Sequence, residues 1–164
     1  MVIARGYSLC FVPSGKFYKK CSKIINELSK KYNAPRFEPH VTIIPQINLS
    51  KEEVIKKTSE LASLLKPFTI RLKGLDYNKE YFTCLFAKVK ESKLIMEANK
   101  NARRTFWVKN KASYMPHLSL MYGFFPSKIK KEIIKKIGKS LNTNFKADRI
   151  FIFDVNSSPE EWKI

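Results

Sequence analysis

Cysteine is scarce in this sequence: Cys10, Cys21 and Cys84 are the only three among 164 residues, odd in number and far apart. Without a C-x-x-C pair or dense, even spacing they read as reduced thiols, which excludes a disulfide-stapled fold and a zinc ribbon. Glycine is rarer than usual, five residues, and none falls in a G-x-G-x-x-G or P-loop pattern. Nucleotide-binding folds that depend on glycine-rich turns are therefore not indicated. No run of about 18 apolar residues exists, and Met1-Val2-Ile3-Ala4-Arg5 lacks the charged-then-apolar plan of a secretory signal. The expectation is a soluble, cytoplasmic monomer with no membrane partner. Histidine is rarer still than cysteine, with two residues, His40 and His117.

Acidic side chains are also few, 14 against 32 basic, for a net charge of +18. Such a charge favours anionic partners, nucleotides or RNA among them. Lysine supplies 26 of the 32 basic residues and is spread along the whole chain, as compositional bias alone would also produce. At 44% hydrophobic, the chain can bury one good core, and residues 1–164 read as a single domain with two similar halves.

The pattern along the chain is α+β. Arg5 to Val12 reads as a strand closed by Pro13-Ser14-Gly15, with Ser14 a helix N-cap. Phe17, Cys21, Ile24, Ile25, Leu28 and Tyr32 form a helical stripe ending near Asn33. His40 to Ile47 is a strand, and Ser50-Lys51-Glu52-Glu53 has the S-x-x-E form of a capping box for a helix to about Lys66. Phe68 to Leu75 and Tyr81 to Val89 read as strands about a polar turn, and a helix follows from Ser92 to about Phe106. Lys109 to Ser113 is a polar connection into the strand Tyr114 to Tyr122. Ile129, Ile133, Ile134, Ile137 and Leu141 mark a last helix, and Arg149 to Val155 a last long strand. The tail from Ser157 packs through Trp162.

One pattern occurs twice. Pro39-His40-Val41-Thr42-Ile43 recurs as Pro116-His117-Leu118-Ser119-Leu120 at an offset of 77 residues, which also carries Ser50-Lys51 onto Ser127-Lys128. Side chains alternate faces along a strand, so each motif presents an imidazole and a hydroxyl together: His40 with Thr42, His117 with Ser119. Two imidazoles beside a phosphate can divide acid and base work, since an unperturbed pKa of about 6.5 suits both tasks near neutrality. The hydroxyls can donate to the non-bridging oxygens. A zinc site needs three or four ligands, and within two residues of either motif only Glu38 could add one. A nucleophile at Cys10 or Cys84 has no local signature. Neither metal nor cofactor is expected. Phe82, between the motifs, is a candidate to stack a base, or else part of the core.

These paired motifs resemble those of the two-histidine (2H) phosphoesterase superfamily, and Tyr114-Met115-Pro116-His117-Leu118-Ser119-Leu120-Met121-Tyr122-Gly123 is similar to its plant and fungal cyclic phosphodiesterase branch. Tyr7-Ser8-Leu9-Cys10-Phe11-Val12-Pro13 resembles that branch's first strand. The resemblance implies a bilobal fold, with two pseudo-symmetric antiparallel sheets flanked by helices around a central cleft. It implies metal-independent opening of 2′,3′-cyclic nucleotides or ADP-ribose 1″,2″-cyclic phosphate. Other 2H branches cut 2′-5′ linkages in oligoadenylates or cyclic dinucleotides, and a non-catalytic RNA-binding module would use the same cleft. By the same resemblance His117 is the general base, His40 the general acid, Thr42 and Ser119 the phosphate binders, and Tyr122 a helper of the attacking water. Cys10 stands where that branch tends to carry tryptophan, and Pro45, the repeat partner of Tyr122, has no side-chain donor, so the halves differ in role.

Overall fold

The structure is a computed structural model that describes residues 2–110 and 112–164. Met1, in the N-terminal segment, and Lys111, in the polar connection, lie outside the described residues. Among the described residues, seven strands and four α-helices follow in the order β1 (Tyr7–Phe11), α1 (Gly15–Tyr32), β2 (Val41–Ile47), α2 (Lys51–Leu64), β3 (Phe68–Asp76), β4 (Leu85–Val89), α3 (Lys93–Thr105), β5 (His117–Met121), α4 (Ser127–Ile137), β6 (Asn144–Ala147) and β7 (Phe151–Asp154).

All strand pairs are antiparallel, in the spatial order β6-β3-β4-β5-β2-β1-β7. The two expected sheets are the halves of this order, β6-β3-β4-β5 and β2-β1-β7, joined through the single pair Val41 and Leu118. Each half has its motif strand at the seam. The repeat unit, strand-helix-motif strand-helix, appears as β1-α1-β2-α2 and again as β4-α3-β5-α4. One strand beyond each unit crosses over: β3, directly after the first, pairs with β4, and β7, which comes after β6 at the end of the second, pairs with β1.

The core lies between one face of this sheet and the helices. Leu9, Val41, Ile43, Leu85, Leu118 and Leu120 from the strands pack with Cys21 and Ile25 of α1, Val54 and Leu61 of α2, and Ile95 and Ala98 of α3. Period two in the strands and three to four in the helices select these residues. Ser50 forms the full capping box, its Oγ accepting from the Glu53 N–H while the Glu53 carboxylate accepts from the Ser50 N–H. Such a cap is worth about 1 kcal/mol.

Four local readings need correction. Ser14 occupies the N-cap position of α1, but its hydroxyl makes no cap bond. Tyr81–Thr83 is a 3-10 turn rather than strand, because the Asn78 side-chain oxygen accepts from both the Glu80 N–H (2.9 Å) and the Thr83 hydroxyl (2.6 Å) and bends the chain. The last helix stops at Ile137, capped by Gly138, and Leu141 is buried in the turn beyond it. The last strand, expected over Arg149 to Val155, is shorter, β7 beginning only at Phe151, and it is preceded by an unexpected strand, β6, whose Phe145 and Ala147 reach the core.

Candidate active site

The seam between the halves is where the repeated motifs meet. Val41 lies opposite Leu118, and carrying that antiparallel register one residue each way sets His40 across from Ser119 and Thr42 across from His117. Val41 and Leu118 are fully buried toward the helices, so these four side chains share the opposite face. A cavity of about 320 Å³ opens there, and all six residues singled out in the sequence line it: His40, Thr42, Phe82, His117, Ser119 and Tyr122. Despite the overall charge, no Lys, Arg, Asp or Glu is among its described lining residues.

Both imidazoles are held alike. Nδ1 of His40 is 2.6 Å from the carbonyl oxygen of Glu38, and Nδ1 of His117 is 2.9 Å from that of Met115. A carbonyl only accepts, so Nδ1 carries the hydrogen in each neutral ring and Nε2 is left to take or give a proton. The Tyr18 hydroxyl donates to the Glu38 carboxylate and so steadies the residue that orients His40. The rings of Phe153 (4.9 Å), Trp162 (6.1 Å) and Phe37 (6.2 Å) surround His40, whereas Phe86 (5.3 Å) flanks His117.

This apolar packing disfavours imidazolium. Burial, reinforced by the charge of His117, pulls His40 down to about 4, against a partial offset from the Glu38 carbonyl. Burial also lowers His117, which is less enclosed. In the free protein at neutral pH, His40 is uncharged. An anion between the rings reverses that penalty for both.

The hydroxyl groups lie beside the rings. Ser119 Oγ donates to the Phe82 carbonyl (2.9 Å), from which it must rotate to donate to a phosphate oxygen. Thr42 Oγ1 meets only the weak Cys10 thiol donor at 3.9 Å. Tyr122 is buried, its ring stacked on Phe37 at 3.8 Å, and burial raises its phenol well above the usual range, so it is a hydrogen-bond donor and not a phenolate. Burial likewise pushes the Cys10 thiol up to about 12 and raises Cys84, which leaves no ready thiolate there. Among the described residues no three His, Cys, Asp or Glu side chains converge as a ligand set.

The sequence did not single out three further parts of this site. Trp162 and Phe153 close one wall together with Val155, and the expected packing of the tail through Trp162 is directed into the cavity. Tyr114 donates through its hydroxyl to the Thr42 carbonyl (2.8 Å), fixing the motif strand from behind. Trp162 was visible as an isolated aromatic in a polar tail. Nothing local marked Phe153, whose partners are far away in sequence, and Tyr114 opened the second motif without a role of its own.

A curled antiparallel sheet with an H-x-[ST] strand on each side of its central seam defines a two-histidine phosphoesterase. The chain belongs to the family described as cyclic phosphodiesterase-like protein, whose sequence profile matches residues 5–164, and it is a phosphodiesterase of the 2H type. The Cyclic phosphodiesterase of Arabidopsis thaliana is 28% identical over 130 residues, which cover 79% of this chain and 72% of the plant protein. Among solved structures, one described as a phosphoesterase matches with a TM-score of 0.64 at 11% identity, covering 99% of this chain and 94% of the other. E. coli LigT complexed with ATP matches with a TM-score of 0.62, also at 11% identity, covering 99% and 93%. These two likenesses concern the fold. No helix among the described residues is long and apolar enough to cross a membrane.

Proposed function

We propose that the chain hydrolyses 2′,3′-cyclic nucleotides or ADP-ribose 1″,2″-cyclic phosphate without a metal ion. The observation that carries this reading is the pair of imidazoles in one uncharged cavity, each with Nδ1 tied to the carbonyl two residues upstream. His117 takes a proton from water as its oxygen bonds to phosphorus. His40 gives a proton to the ribose oxygen as the ring P–O bond breaks, yielding a phosphomonoester. The resemblance carries this division. In the free protein His40 is the neutral ring, so its proton is held only with the substrate phosphate bound, whose negative charge favours imidazolium; an imidazolium so buried then gives its proton up readily. Thr42 and Ser119 donate to the non-bridging oxygens, Tyr122 steadies the water, and Phe82 with Trp162 supplies an aromatic wall for the base. Turnover of a panel of cyclic phosphates by purified protein tests the reading; no turnover of any member would refute it.

Two results follow from this chemistry. In EDTA the rate on a 2′,3′-cyclic nucleotide is unchanged; a loss restored by added Mg²⁺, Mn²⁺ or Zn²⁺ would overturn the acid/base assignment. The pH profile of kcat/KM is a bell whose limbs report the free enzyme. Because burial lowers both imidazoles, that bell peaks below 6.5; its limbs belong to the coupled pair, the lower one lying near 4. Bound phosphate favours imidazolium, so the bell for kcat lies at higher pH. A kcat/KM maximum above about 7 would contradict it.

A further inference from the structure

A second groove, of about 890 Å³, lies at the C-terminal end of α3, and its lining includes Lys100, Arg103, Arg104, Trp107, Lys109 and Tyr114. No carboxylate is among its described lining residues. Lys57 adds a further cation, its Nζ 4.0 Å from the centre of the Trp107 ring. Arg103 and Arg104 suit the negative end of a helix whatever else they do. Lys100 and Lys109 are not accounted for in that way, nor is Trp107.

Trp107 is 76% exposed and has a left-handed backbone, φ 53°. Its N–H bonds to the Arg104 carbonyl (3.2 Å) and the Val108 N–H to the Arg103 carbonyl (2.9 Å), the paired bonds of a Schellman cap. Glycine is the residue that this cap position favours. Here it carries the largest side chain available, held in solvent amid cations. The groove also adjoins the catalytic strand. Tyr114 donates to the Thr42 carbonyl (2.8 Å) and Asn99, on the same groove, to the Ile43 carbonyl (2.7 Å), while the Thr42 side chain lines the catalytic cavity.

We infer that this groove is the track for a single-stranded oligonucleotide whose terminal phosphodiester sits between the histidines, with Trp107 stacking a base and Lys100, Arg103, Arg104 and Lys109 meeting backbone phosphates. The inference rests on the phosphodiesterase reading above and extends its substrate from mononucleotide to oligonucleotide. The +18 charge gains a location by it, since the catalytic cavity itself is uncharged.

Binding of a fluorescein-labelled hexaribonucleotide, followed by anisotropy in the His117→Ala protein, reads the groove whether or not any cyclic nucleotide is turned over. Failure of the catalytic reading is thus separable from failure of this one. Adding Trp107→Gly weakens binding about fivefold or more, the loss of one stacked base, while the melting temperature does not fall. Adding Arg104→Glu with Lys109→Glu weakens it further and flattens the dependence of log Kd on log salt by about 1.4, two single-strand phosphate contacts. In an otherwise unaltered chain, Trp107→Gly lowers kcat/KM for an oligonucleotide ending in a 2′,3′-cyclic phosphate at least fivefold more than for a cyclic mononucleotide. An unchanged hexamer Kd, or an equal loss on both substrates, would overturn the inference. So would loss of binding to phosphatidylserine–phosphatidylcholine vesicles with hexamer affinity intact, which would assign the groove to a membrane surface.

Discussion

His40→Ala loses about 10³-fold or more on a 2′,3′-cyclic nucleotide but only about tenfold on a nitrophenyl phosphodiester, whereas His117→Ala is crippled on both. A ribose alkoxide is a poor leaving group and needs the proton that His40 supplies; nitrophenolate leaves with little help. The attacking water must lose its proton in either case. The 10² to 10⁴ usual for a lost general acid sets the size of the first effect. Both variants must fold, which melting curves check. His40→Ala opens a gap among Phe37, Phe153 and Trp162, so His40→Gln is the companion variant that preserves more of the packing. Rescue of His117→Ala by the activated substrate, with His40→Ala still inactive, would exchange the roles. Rescue of neither would make the imidazoles phosphate binders before all else.

The second large effect is on stability. Gly6→Ala destabilises the protein by about 3 kcal/mol or more, through a left-handed backbone and a steric clash together. Gly6 has φ 80°, and an added Cβ would lie 2.3 Å from the Ile47 carbonyl oxygen and 2.8 Å from Asn48 Oδ1. The backbone cannot retreat easily: the Gly6 N–H donates to Asn156 Oδ1 (2.8 Å) and its carbonyl accepts from the Val155 N–H (3.1 Å). Gly15→Ala separates the two causes. It shares the positive φ, 61°, but has nothing within 4 Å of the added atom, and should cost only about 1 kcal/mol. Equal melting temperatures for the two variants would refute the clash.

What the sequence made legible was what rests on local periodicity or on repetition. The motif strands, the helices and the capping box at Ser50 each announce themselves within a dozen residues. Four of the six singled-out site residues reach one cavity because strand alternation puts His40 beside Thr42 and His117 beside Ser119; Tyr122, just past the end of β5, and Phe82, in the turn before β4, reach it from outside the strands. β6 was not legible. It is four residues long, begins in a polar run, and is a strand because β3 offers it an edge. The turn at Tyr81–Thr83 looked like strand since its aromatics obey strand preferences, while the side chain of Asn78, outside the apolar run, decides the backbone. Trp162 and Phe153 enter the site through contacts spanning more than a hundred residues, which no local window contains.

The crossing of β3 and β7 between the halves bears on the order in which the molecule is completed. As the chain leaves the ribosome, β1 has β2 for a neighbour within some forty residues, yet its other edge waits for β7, when Asp154 comes to lie opposite Tyr7. Until then an open strand edge is offered to any passing peptide, the condition under which slow, long-range sheets stray into aggregates. Duplicated though it looks, the first half of this sequence is not a spare copy of the second: neither is finished until the other has lent it a strand.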